Sequence, residues 1–260
     1  MWDESLILAG RTFRSRLIVG SGGFPSLDVM RRSHQASGCE LVAVTVREVD
    51  LARAGESLLD FVDLSRITLL PSTAGSHSAE EAGRTAYLAR ESGLGDLVLL
   101  EVVGDARTRL PDVQGLLEAT KTLARDGFTV LAASSDDPVV ARRLEESGAA
   151  AVVTLGAPAG SGLGLRNPYG LRLVREAVAV PVILGGGIGT ASDAALAMEV
   201  GCHGVLVNSA IAGARDPEGM AEAMKLAVEA GRFAHKAGRI TRRLHAGAPG
   251  PIDEVPYWTT

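Results

Sequence analysis

The chain has 260 residues, 46% of them hydrophobic and 22% charged, with a formal net charge of −5 at pH 7. These values belong to globular chains and exclude the disordered, collagen-like and membrane-spanning classes. An acidic balance offers no broad cationic surface to a phosphate backbone, which excludes nucleic acid as an expected partner, and two isolated cysteines, Cys39 and Cys202, make neither a disulfide framework nor a zinc site.

The first residues, Met1-Trp2-Asp3-Glu4, are acidic where a signal peptide is basic. No apolar run reaches the roughly 18 residues that span a bilayer, so a cytoplasmic chain without a membrane partner is expected. Leu6-Ile7-Leu8 and Thr12-Phe13 flank Ala9-Gly10 and read as a small hairpin closing one end of the fold. From there, short runs rich in valine, isoleucine and leucine occur at 16–19, 41–46, 67–70, 97–103, 128–131, 150–155, 182–184 and 205–207. They read as strands. Stretches with helical apolar spacing intervene at 78–91, 113–126, 138–147, 169–177, 191–200 and 217–234. Helix starts carry their signals: Asp136-Asp137-Pro138 supplies capping carboxylates and a first-turn proline, and Thr190-Ala191-Ser192-Asp193 has the form of a capping box.

Continuously apolar strands are those of an all-parallel sheet covered on both faces. Eight such strands alternating with helices predict one closed (β/α)8 TIM barrel over residues 1–246, with an irregular tail at 247–260; an open doubly wound sheet is the second choice.

In such a barrel chemistry belongs at the C-terminal strand ends. The sixth run is followed by Gly156-Ala157-Pro158-Ala159-Gly160-Ser161-Gly162, the seventh by Gly185-Gly186-Gly187-Ile188-Gly189, and the eighth by Asn208-Ser209-Ala210-Ile211-Ala212. Glycines let backbone N–H groups approach an anion closely, and a short helix starting at Ser209 would favour negative charge. A phosphate cup formed by Gly160, Ser161, Gly162, Gly186, Gly187, Ile188, Asn208 and Ser209 is therefore expected, the alternative for each loop being a tight turn that needs glycine.

Glu101 interrupts the run Leu97-Val98-Leu99-Leu100-Glu101-Val102-Val103. Burial raises a carboxylate's pKa toward the range of a general acid or base, the role expected of it here; the alternative is a structural ion pair with an arginine such as Arg47. Period-two alternation places Leu99 on the same inward face. Asp105, Asp136, Asp137, Arg166 and His77 read as caps or solvated loop charges, and no histidine pair has metal-ligand spacing. No metal or cofactor is expected.

Asp136-Asp137-Pro138 with Arg142-Arg143-Leu144-Glu145, Gly156-Ala157-Pro158, Gly160-Ser161-Gly162-Leu163-Gly164, Gly187-Ile188-Gly189-Thr190-Ala191-Ser192-Asp193 and Asn208-Ser209-Ala210-Ile211-Ala212 resemble the bacterial thiazole synthases of thiamin biosynthesis. Arg14-Ser15-Arg16-Leu17, Thr73-Ala74-Gly75 and Leu110-Pro111-Asp112 do so too, and the likeness runs from about residue 6 to 243. The resemblance implies a (β/α)8 barrel and homo-oligomer that binds 1-deoxyxylulose 5-phosphate, takes sulfur from a thiocarboxylated sulfur-carrier protein and condenses the product with dehydroglycine.

It also implies a lysine two residues before the glutamate, which forms an imine with the sugar ketone. Leu99 stands there. Gly185 stands where the family has an aspartate, and Ser72, Ala133 and Gly23 replace an asparagine, a tyrosine and a lysine. The three lysines of this chain, Lys121, Lys225 and Lys236, fall on expected outer helices. A sulfur-incorporating enzyme with an altered active site is the expected function. A non-catalytic relative that binds a phosphorylated ligand or partner, and a phosphosugar lyase or isomerase using Glu101, are the alternatives.

Overall fold

Backbone pairing follows directly from the alternation of apolar runs and amphipathic stretches. The computed structural model describes residues 5–48 and 57–246; the tail expected at 247–260 lies outside them. The chain opens with an antiparallel hairpin, β1 (Leu6–Leu8) and β2 (Arg11–Phe13). Its two turn residues, Ala9 and Gly10, both take left-handed backbone, with φ of 47° and 77°. That geometry matches the twist of flanking strands.

The barrel follows as β3 (Leu17–Gly20), α1 (Leu27–Ser37), β4 (Leu41–Thr45), β5 (Thr68–Ser72), α2 (Ala79–Glu91), β6 (Leu97–Leu100), α3 (Val113–Arg125) and β7 (Thr129–Ser134). It continues through α4 (Pro138–Glu146), β8 (Ala151–Leu155), α5 (Pro168–Ala177), β9 (Val182–Gly185), α6 (Ala191–Val200), β10 (Gly204–Val207), the one-turn α7 (Ser209–Ala212) and the long α8 (Pro217–Ala237). Eight parallel strands, β3 to β10, close with β10 hydrogen-bonded to β3. The closed barrel is the first of the two architectures expected.

Side chains divide by strand parity, as the pleat requires. Ile18, Leu41, Leu70, Leu97, Leu131 and Ile183 point inward and form one cluster with Leu6, Leu8 and Phe13 of the hairpin. The hairpin thus plugs the N-terminal end. Val19, Val42, Val98, Val130, Val152 and Val205 point outward against the helices in a second cluster. At the plugged end Arg16 donates from its guanidinium to the carbonyl of His203 (2.6 Å), and Val182 N–H donates to His203 Nδ1 (3.0 Å), which ties β9, β10 and the chain before β3 together.

Most strand ends fall within two residues of expectation, and two differ by three for local reasons. β6 stops at Leu100 rather than 103 because the Thr73 hydroxyl takes over the pairing, accepting from Glu101 N–H (2.8 Å) and donating to the Glu101 carbonyl (2.9 Å). β7 runs three residues past 131, through Ala132, Ala133 and Ser134, because β8 offers Val152, Val153 and Thr154 in register. Helix starts are as read: the Asp137 carboxylate accepts from Val139 and Val140 N–H ahead of Pro138. The Asp193 carboxylate accepts from Gly189 and Thr190 N–H.

Candidate functional site

The C-terminal strand ends surround a cavity of about 640 Å³. Its floor is apolar, made by Ala43, Leu99 and Leu206. One side is walled by glycine-rich backbone: Gly20, Gly22 and Gly23 after β3, Gly160 after β8, Gly186 and Gly187 after β9, then Asn208 and Ser209 after β10. The opposite side carries the charge, with Arg47, Ser72, Glu101 and Arg109.

Of the residues expected to form the cup, Gly160, Gly186, Gly187, Ile188, Asn208 and Ser209 line this cavity. Ser161 and Gly162 do not: both are exposed, and Gly162 lies against Gly189. The turns themselves require glycine as well. Gly187 has φ of 77°, and a Cβ there would lie 2.5 Å from the Ala157 side chain. Gly185 faces Val153, whose Cγ1 would be 2.6 Å from an added Cβ, so hydrocarbon occupies the space a larger side chain would need.

Two polar atoms on the glycine side are buried without a hydrogen-bond partner among the described residues, Ser21 Oγ and Asn208 Oδ1. Each such orphan costs about 1–3 kcal/mol unless something satisfies it. Both belong to adjacent strand ends, since β10 pairs with β3. Gly20 sits between them, with no room for a Cβ because Asn208 Cβ would be 2.6 Å away. Asn208 can present its NH2 or its oxygen to a ligand with little change of shape.

Glu101 is half-buried just past the end of β6, above the buried Leu99. Ser72, the cross-strand partner of Leu99, donates its hydroxyl to Glu101 Oε1 (2.8 Å) while accepting from Ala74 N–H (3.1 Å). Burial pushes the Glu101 carboxyl above the ordinary carboxylate range; the Ser72 hydroxyl and the charge of Arg109 oppose that shift. The alternative ion pair with Arg47 is overturned, because Arg47 bonds Glu81 at the end of an adjacent helix.

The lysines lie on the outer helices, Lys121 on α3 and Lys225 and Lys236 on α8. The remaining polar candidates have structural work: Asp105 accepts from Thr108, Asp136 from Asn167, and His77 N–H donates to Glu81. Among the described residues no group of three His, Cys, Asp or Glu is placed to hold a metal ion, and no helix is long and apolar enough to cross a membrane. Sequence reasoning did not single out Ser21, Thr45 or Arg109. A signal existed for Ser21, which stands at a strand end beside Gly20, Gly22 and Gly23, but none for Arg109, one charge among several in a polar loop.

The class defined by this fold and cavity is a (β/α)8 barrel with an open, glycine-walled cleft at its strand C-terminal ends. Residues 7–251 match the family model "Thiazole biosynthesis protein ThiG". The chain is 56% identical over 254 residues to the thiazole synthase of Geobacter sp. (strain M21), covering 97% of this chain and 98% of that protein. It is 54% identical over 256 residues to that of Myxococcus xanthus (strain DK1622), covering 98% of each. Among solved structures, the Amycolatopsis orientalis BexX/CysO complex matches with a TM-score of 0.84 at 34% identity, covering 94% of this chain and all of the matched one. The chain belongs to the thiazole synthase family.

Proposed function

We propose that this protein is a thiazole-synthase-like enzyme that places sulfur on a phosphorylated sugar without using a lysine imine. The family's 1-deoxyxylulose 5-phosphate is the first candidate substrate, and a thiocarboxylated carrier protein is the sulfur source. Family membership supports sulfur incorporation, and the matched BexX, solved in complex with CysO, supports a protein partner at this fold. The family likeness also leads us to propose a cytoplasmic homo-oligomer.

The observation that carries a phosphate-bearing ligand is the pair of orphaned buried atoms, Ser21 Oγ and Asn208 Oδ1, on the glycine-walled side of one cavity. In this reading backbone at Gly160, Gly186, Gly187 and Ile188, with Asn208 and Ser209, takes the phosphoryl group. Ser161 and Gly162 belong to the same loop but stand outside the cavity lining. Glu101 then takes the proton from the carbon beside the sugar ketone, and the electron pair moves to the carbonyl oxygen. Neighbouring backbone N–H groups stabilise the resulting enolate. Ser72 holds the carboxyl in place. Leu99 and Gly185 supply no amine or carboxylate, so enolisation rests on Glu101.

The test combines the protein, a panel of phosphorylated ketoses and a thiocarboxylated carrier, and looks by mass spectrometry for sulfur in a small product. A sulfur-bearing product that disappears in Glu101→Gln supports the proposal. No product across the panel defeats it. The apolar floor at Leu99 favours one second reading, a relative that binds a phosphorylated ligand without turnover; in that case Glu101→Gln leaves binding intact and there is no activity to lose.

A further inference from the structure

The cavity wall carries three charged residues, Arg47, Glu101 and Arg109. Arg47 is satisfied by Glu81. Glu101 has the Ser72 hydroxyl. Arg109 differs: among the described residues no carboxylate lies within ion-pair distance of its guanidinium, and that guanidinium makes no hydrogen bond there.

The guanidinium is exposed at the cavity wall, but the backbone that carries it is held firmly. The loop between β6 and α3 is closed by a bridge between Val103 and Pro111, by Gly104 N–H to the Leu110 carbonyl (2.8 Å) and by Arg109 N–H to the Asp105 carbonyl (2.7 Å). The Asp105 carboxylate also accepts from the Thr108 N–H and hydroxyl. Within this closed loop Arg109 has φ of 55°, the left-handed region that costs a residue with a Cβ about 1 kcal/mol or more. The loop therefore fixes, in a costly backbone conformation on the wall of the cavity, a residue whose permanently charged fork has no ion-pair partner among the described residues. Its charge is felt at Glu101, which places it near the reacting end rather than the glycine end.

We infer that Arg109 forms a second anion subsite, opposite the glycine-walled end, that takes a carboxylate-type group. This inference rests on the reading that the glycine end takes phosphate. A guanidinium matches the two oxygens, or the oxygen and sulfur, of a carboxylate or thiocarboxylate as a bidentate partner. Two sources present that chemistry: the far end of a phosphorylated small molecule, and the C-terminus of a protein entering from the mouth.

Calorimetric titration of the full chain tests it in two arms. The first compares 3-phosphoglycerate with glycerol 3-phosphate, which differ by a carboxylate. The second, in saturating inorganic phosphate, compares a short glycine-rich peptide ending in a free carboxylate with the same peptide amidated. In at least one arm the acid form should bind about tenfold tighter, and the preference should vanish in Arg109→Leu while affinity for inorganic phosphate stays unchanged. Arg109→Asn, whose side chain tolerates left-handed backbone, repeats the measurement in a variant without added strain. Arg109→Lys should keep only part of the preference.

The arm that shows the effect names the source. Equal binding of acid and neutral forms in both arms overturns the subsite, as does an Arg109→Leu variant that weakens every ligand alike, which would make Arg109 a partner of Glu101 only. Failure of inorganic phosphate and both phosphate esters to bind, with a surviving acid preference for the peptide, sinks the phosphate reading and leaves the subsite standing.

Discussion

Leu99 and Glu101 stand two residues apart on one inward-facing line, hydrocarbon below and a carboxyl above, and the difference between them can be read experimentally. With a ketose phosphate and borohydride, the parent protein should form no covalent adduct. Leu99→Lys puts an amine on the cavity floor beneath Glu101, and intact-mass measurement should then find the sugar attached. An adduct on the parent would show that another amine reaches the substrate. Glu101 itself gives a stability signature. Its carboxyl is raised by burial, so the fold favours the protonated form; that contribution is present at low pH and lost as pH rises through the raised value. Glu101→Gln keeps a neutral group against Ser72, so its urea midpoint should exceed the parent's near pH 8 and converge with it toward pH 4. Glu101 was legible in sequence because a charge in an apolar run has few explanations. Arg109 was not, because the role proposed for it rests on a closed loop and on the lack of an ion-pair partner among the described residues, neither of which leaves a mark on composition.

At the scale of elements, periodicity located every barrel strand, and the ends moved where a side chain or a neighbour overrode it. Thr73 ends β6 by substituting its hydroxyl for a strand partner. The small residues Ala132, Ala133 and Ser134 have weak intrinsic strand preference and are strand because β8 pairs with all three and β6 with the first. The β9–β10 junction carries a testable titration. His203 accepts through Nδ1 from Val182 N–H, and burial, aided by the positive charges of Arg175 and Arg16, lowers its pKa to about 4. A histidine held neutral contributes stability above its ordinary value near 6.5, and that contribution is lost as pH falls from there toward 4. The thermal midpoint of the parent should drop between pH 7 and pH 4.5 more steeply than that of His203→Asn, whose carbonyl can accept the same N–H without titrating. Equal slopes would mean that this contact is not what limits acid stability.

For the molecule as a whole, the closed barrel brings the ends of β3, β8, β9 and β10 into one wall although they are far apart in sequence. Glycine loops after three consecutive strands could be read in advance as one wall because a barrel leaves those ends nowhere else to point. That Ser161 and Gly162 fall outside the cavity lining could not be read, since it depends on how one loop lies against Gly189. If the wall binds phosphate, binding is linked to global stability. Inorganic phosphate at about 100 times its dissociation constant should add about 2.7 kcal/mol, visible as a rising thermal midpoint. Gly187→Ala, which forces a Cβ toward Ala157 and strains a left-handed position, should reduce both the starting midpoint and its response to phosphate.

The hairpin at the opposite end has a kinetic corollary. With Leu6, Leu8 and Phe13 stoppering the barrel beneath Leu99, the chamber is a cul-de-sac. Traffic in such a chamber is last in, first out: a protein seated across the mouth blocks the route of any small reactant, which must already be inside. If the carrier proposed above is that protein, steady-state rates with both reactants varied should show compulsory order, and excess carrier should slow turnover by bolting the door too early.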